Sequence, residues 1–199
     1  MERYGKSYIS VRYTREDFIT LNLHPDSSIY DWKIAIAIFN DRLEGRYFNA
    51  VHLLLQDVNQ NGFAVMALLC LMIETLYQFQ EGIMETQAGK NRMLYVNFLR
   101  RAFPDIFDQA EKAEFFYRDI RCGILHSAQT RHESQLAFET GQAVELFESN
   151  KIRVDVELFA GRIWEHYQIY LRKLSDPDER FLRENFVKKM QSICRSEAD

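Results

Sequence analysis

An arginine and a histidine separated by four residues, Arg121 and His126 in the run RDIRCGILHS, have the types and spacing best suited to chemistry in this chain. Arginine presents a planar, permanently charged fork that gives two parallel hydrogen bonds to phosphate oxygens. Histidine exchanges a proton near neutral pH. Together they meet the needs of RNA strand cleavage: an acid or base for the 2′-hydroxyl, and a cation against the charge that builds on phosphorus. Such a pair needs neither metal nor cofactor, and the chain supplies no obvious set of metal ligands.

Spacings of this kind are common, and Arg46 and His52, separated by five residues, give a second one. That second pair falls inside a continuous amphipathic pattern and reads as ordinary helix surface. Three features set Arg121 and His126 apart. The arginine lies late in a strongly patterned helix, Gly123 leaves room close to the backbone, and His126 stands where the apolar stripe ends.

With Glu74 in the run MIETLYQF, these residues resemble the HEPN superfamily, whose mark is Arg, four to six residues, then His. The resemblance covers roughly residues 28–126 and is one of pattern. It implies a four- or five-helix domain with the motif near the start or end of a late helix. It also implies a homodimer in which each protomer contributes its Arg and His to a composite site, and an acidic core-helix residue, here Glu74, that orients Arg121. The activity implied is metal-independent endoribonuclease cleavage of single-stranded RNA by 2′-hydroxyl attack on the adjacent phosphate, in a defence or toxin setting as in many relatives. One departure stands out: active members place Asn, Asp or His directly after the arginine, where this chain has Cys122. The alternative is a non-catalytic HEPN-like dimeric module that binds RNA, a nucleotide or a regulatory protein partner; a purely structural interaction protein is a third reading. Arg121 and His126 can also be read as a structural pair at a helix end, and Glu74 as the residue that ends an apolar stretch.

The remaining reactive residues read more plainly. His24 beside Pro25 fits a turn, His132 a loop and His166 an amphipathic helix. Arg100 and Arg101, with Lys90 and Arg92 upstream, could help hold an RNA backbone, although a solvated face is the commoner meaning of such a cluster. Phe115, Phe116, Tyr117, Tyr167 and Tyr170 recur at helical spacing and fit the core. Cys122 sits beside a cation, which favours a reactive thiol, although a buried and inert one is the simpler expectation. No Walker loop, dinucleotide fingerprint, HExxH, GxSxG or EF-hand loop is present, so most familiar enzyme classes have no support.

Composition narrows the field further. The net charge of -4 excludes binding of nucleic acid through an extended basic surface, so any phosphate contact must be local. Three widely spaced cysteines argue against a disulfide framework and fit a reducing cytoplasm. The first residues alternate and carry charge, unlike a secretory signal. The longest apolar run, residues 63–73, is too short to span a bilayer, so no membrane association is expected.

The elements that would hold the site follow from periodicity. Ile9, Val11 and Tyr13 alternate with Ser10 and Arg12 as in a short strand, followed by a turn through residues 24–27. Trp32, Ile36, Phe39 and Leu43, then Tyr47, Val51 and Leu54 or Leu55, mark one helix bent at Gly45. Residues 62–80 are apolar on almost every face and predict a central helix. Residues 93–99 give another, ended by Phe103 and Pro104. Residues 111–125 carry Phe116, Ile120 and Ile124 on one side and Arg118, Arg121 and Leu125 on another. Residues 135–138 and 143–147 read as a hairpin around Thr140 and Gly141. Two amphipathic helices close the chain, the second capped by Asp176 ahead of Pro177. The expected fold is mainly α: an HEPN-like helical bundle with a short N-terminal strand and a small β-hairpin after the motif helix. A β/turn segment over residues 1–27 would precede a helical domain over residues 28–199.

Overall fold

In the computed structural model, residues 2–3, 6–148 and 150–196 are described. Met1, Tyr4, Gly5, Ser149 and residues 197–199, on which parts of the expected 1–27 and 28–199 segments fall, lie outside them. The chain is mainly helical with a small three-stranded sheet. It forms two compact units, one of Met1–Ala50, Leu76–Thr86 and Tyr167–Asp199, the other of Val51–Thr75 and Gln87–His166.

The first unit holds strands β1 (Glu2–Arg3) and β2 (Lys6–Ser7), helix α1 (Arg15–Ile19) and helix α2 (Ile29–Leu43). It also holds the C-terminal helix α9 (Arg180–Ser196). Its core is aromatic: Phe39 meets Phe79, Tyr167, Tyr170 and Phe186, and Trp32 packs on Phe186. Residues 9–13 are a loop and not the expected strand. Ser10 and the Arg12 amide both bond the buried Asp41 carboxylate of α2, which holds the loop against the helix in a shape no strand ladder allows. After α2 a π-helical turn, Glu44–Phe48, advances the register, so Phe48 is buried where the helical period points to Tyr47.

Helix α9 begins at Arg180, later than a cap at Asp176 would place it. Asp176 instead accepts a hydrogen bond from the Asp178 amide within the preceding turn.

The second unit contains helix α3 (Asn49–Leu54) from Val51 onward and helix α4 (Val58–Glu81) as far as Thr75. Helix α5 (Asn91–Ala102), helix α6 (Ala110–Phe115) and helix α7 (Cys122–Ser127) follow, with a π-helical segment, Phe116–Arg121, joining α6 to α7. Then come strands β3 (Gln135–Ala137), β4 (Val144–Phe147) and β5 (Lys151–Asp155) and the first half of helix α8 (Val156–Ser175). Its core brings Phe116 against Phe107 and Phe159, and Phe103 against Phe98, Phe159 and His166.

The expected hairpin is corrected. β3 and β4 both pair with β5, which runs between them, β3 parallel and β4 antiparallel, with Val154 opposite Leu136 on one side and Val144 on the other. Lys151–Asp155 alternates Ile152 and Val154, both buried, with Lys151 and Arg153, and completes the sheet.

Helix α4 buries Val65, Met66, Leu69, Cys70, Met72 and Ile73, yet Phe63 and Leu71 are exposed. A helix apolar all round carries more apolar surface than its packed side can cover. The helical stretch Ile29–Glu81 includes an 18-residue window of mean hydropathy 1.7, long and apolar enough by composition to cross a membrane. Half of that window is buried inside the fold, as in the core helix of a folded protein.

Candidate active site

Arg121 ends the π-helical segment, and the Cys122 amide donates to the Tyr117 carbonyl five residues back. That wider turn changes which residues share a face. Phe116, Ile120 and Ile124 are buried as the periodicity requires, but Arg121 no longer falls with Arg118 and Leu125. Leu125 is exposed, Arg118 bonds Asp119, and the Arg121 residue turns inward with only 9% of its surface exposed. A π turn inserted into an α-helix marks functional positions often enough to draw attention here.

His126 lies in the last turn of α7 and is exposed. The helix stops at Ala128 in the left-handed conformation, its amide bonding the Gly123 and Ile124 carbonyls. The chain then doubles back over Gly123, where a Cβ would come within 2.4 Å of the Gln129 carbonyl oxygen. Glycine is required at that close approach.

These constraints bring the expected residues together. Arg121 Nη1 lies 3.3 Å from His126 Nε2, and Arg121 Nη2 lies 3.5 Å from Glu74 Oε2. Because a guanidinium is always a donor, the contact to Nε2 is satisfied when the imidazole is neutral with its proton on Nδ1. The Tyr95 and Tyr117 rings stand 5.6 and 5.8 Å from the guanidinium carbon, within cation–π range. Tyr95 donates its hydroxyl proton to the Cys70 carbonyl, and burial pushes its pKa well above the ordinary phenol value, so it stays neutral. Burial works against the charge on Arg121, but the Tyr95, Tyr117 and Cys122 groups around it together outweigh that, and the pKa of the guanidinium is raised. The Arg121 Nε is buried with no acceptor, a cost of about 1–3 kcal/mol for an unsatisfied donor. Cys122 is half-buried and adjoins the Tyr117 hydroxyl.

The second Arg/His match dissolves. Arg46 donates to the Tyr8 carbonyl, while His52 packs edge-on against Trp164. His24 accepts from the Asp26 amide in its turn, and His166 packs on Phe98 and Phe103.

His132 is more than a loop residue. Its Nδ1 lies 2.6 Å from Oδ1 of Asp119, which is fully buried and also receives the Arg118 fork and the Ser134 hydroxyl. Ser134 in turn accepts the Ile152 amide, so one carboxylate ties the motif helix to β5. Desolvation raises the Asp119 pKa, but the bonds from Arg118, His132 and Ser134 prevail and hold it below the ordinary carboxyl value. The returning chain adopts positive φ at both His132 and Glu133, and neither residue type announces such a bend. Among the described residues, no group of three or more His, Cys, Asp or Glu side chains is placed to hold a metal ion.

The chain matches no family model, no curated protein and no solved structure.

Proposed function

We propose that the chain is a metal-independent endoribonuclease of the HEPN type, acting in the cytoplasm on single-stranded RNA. The observation that carries this reading is the contact of Arg121 Nη1 with His126 Nε2 at 3.3 Å, with Glu74 behind the arginine and the imidazole exposed. A neutral imidazole is ready to accept a proton, and a buried cation held from two sides is pre-oriented for an anion.

In the reaction, His126 takes the proton of the RNA 2′-hydroxyl as its oxygen attacks the adjacent phosphorus. Arg121 leaves the imidazole as Nε2 gains that proton, and turns its donors to the phosphate oxygens. The bond to the 5′-oxygen breaks, that oxygen is protonated, and a 2′,3′-cyclic phosphate and a 5′-hydroxyl remain. A second protomer supplies the other histidine as acid in a composite homodimeric site. Glu74 orients Arg121, and Cys122 takes the place of the polar helper. A defence or toxin role, with a regulatory protein partner, fits this chemistry.

The burial of Arg121 favours a second reading, a dimeric module that holds RNA, a nucleotide or a protein partner without cutting it. Purified protein incubated with mixed RNA and single-stranded DNA in EDTA separates the two. Cleavage of RNA alone, lost in Arg121→Ala and His126→Ala variants that still fold, supports the enzyme. RNA retained on the protein but left intact supports the module.

A further inference from the structure

Beside the Arg/His pair, the second unit contains a cavity of about 270 Å³ whose lining includes Arg92, Arg118, Arg131, Phe115, Tyr117 and Cys122. Tyr117 and Cys122 also border Arg121, so cavity and candidate site share a wall. The volume lies just under the roughly 300–1,000 Å³ of sites for drug-sized ligands. That suits one phosphate with its sugar or base.

Its charge is opposite to that of the chain. Three guanidinium groups line it against one carboxylate, Glu114, in a protein whose net charge is -4. The three are held differently. Arg118 forks onto Asp119 and stacks 4.7 Å over the Phe115 ring, fixed in place. Arg92 pairs with Glu114 in an ion pair open to water, which contributes little and exchanges readily. Arg131 donates to the Ser127 hydroxyl at 3.3 Å, and among the described residues no carboxylate pairs with it. Its backbone amide is anchored on the Asp119 carbonyl, and its stem crosses Gly123 where any Cβ would crowd it.

Arginine forks select phosphate, and aromatic faces next to arginine select a planar base. We propose that this cavity is a nucleotide subsite, which seats one phosphate and its base from the RNA strand next to the bond cut at Arg121 and His126. The assignment rests on the RNA reading above for its ligand, but binding can be read without cleavage. A free mononucleotide presents the same chemistry and should compete for the site.

The test measures binding of a fluorescein-labelled single-stranded RNA 12-mer to the full chain by anisotropy, in EDTA, in the His126→Ala background over a range of salt. Arg131→Gln and Arg92→Gln, with melting curves to show that each folds, should raise Kd about tenfold and about threefold. Each should lower the slope of log affinity against log salt by about 0.7, the share of one phosphate contact on a single strand. AMP should displace the 12-mer at lower concentration than adenosine or inorganic phosphate. Unchanged Kd and salt slope in the folded Arg131→Gln variant overturn the subsite even if the parent protein cuts RNA. Displacement by inorganic phosphate as readily as by AMP reduces it to a plain anion site and also overturns it. Loss of binding in Arg131→Gln, combined with no cleavage by the parent protein, keeps the subsite and removes the ribonuclease.

Discussion

Arg121 reaches His126 from inside the fold: the guanidinium is buried, the imidazole is exposed, and Nη1 and Nε2 are 3.3 Å apart. The two are five positions apart, a distance at which an unbroken α-helix does not stack side chains. Arg121 ends the π-helical segment and His126 stands in the last turn of α7, so the contact spans that short helix.

Replacing Arg121 with Lys separates charge from geometry. A lysine ammonium keeps the cation but lacks the planar fork that spans His126 and Glu74 at once. RNA cleavage by Arg121→Lys should fall about 100-fold, the scale for losing one preorganised donor, while circular dichroism and melting stay near those of the parent. A rate within a factor of three of the parent would show that charge alone suffices.

Gly123→Ala places a methyl against the returning backbone at Gln129 and against the Arg131 stem. Backbone cannot rotate away as a side chain can, so the variant should lose roughly 1–3 kcal/mol in urea unfolding, the range for overpacking. RNA affinity should drop with it, because the same approach holds the Arg131 stem in place. Parent-like stability would mean that the loop after α7 moves freely.

What the sequence made legible was local and periodic. The Phe116, Ile120 and Ile124 stripe, the need for space at Gly123, and the association of Glu74, Arg121 and His126 all followed from spacing or from the family pattern, and all are present. What it hid depended on chain returns. Asp119 and His132 are thirteen positions apart, and they meet only because residues 128, 132 and 133 take left-handed conformations without glycine. β5 was visible in principle, since Ile152 and Val154 alternate with Lys151 and Arg153. The Thr140 and Gly141 pair, which resembles a hairpin turn, pointed instead to β3 pairing with β4.

Asp119 makes the second unit sensitive to acid. Its carboxyl is held below the ordinary value by Arg118, His132 and Ser134 against the desolvation that opposes them. A depressed carboxyl contributes stability that is fully present above the ordinary value, about 3.9, and is lost as pH falls through the folded value. Melting temperature should therefore decline below about pH 4, and it should decline less steeply in Asp119→Asn, which has no such proton to gain. Asp119→Ala, which strands Arg118, His132 and the buried Ser134, should cost roughly 2–4 kcal/mol at neutral pH. An Asp119→Asn melting curve with the same acid slope as the parent would assign that sensitivity to other carboxylates.

The three cysteines should differ sharply in reactivity, and the difference reports on the cavity. Cys70 is fully buried, and desolvation pushes its thiol up to about 12, so almost no thiolate forms at neutral pH. Cys194 is 2% exposed, whereas Cys122 is half-buried and lines the cavity. A thiol reagent such as Ellman's reagent should therefore titrate one rapid group in the native protein, absent in Cys122→Ser, and all three in guanidinium. Saturating single-stranded RNA should slow that one group several-fold, because a base seated beside Tyr117 covers the Cys122 sulfur. Equal labelling with and without RNA, under conditions where anisotropy shows the RNA bound, would mean that the strand lies elsewhere on the molecule.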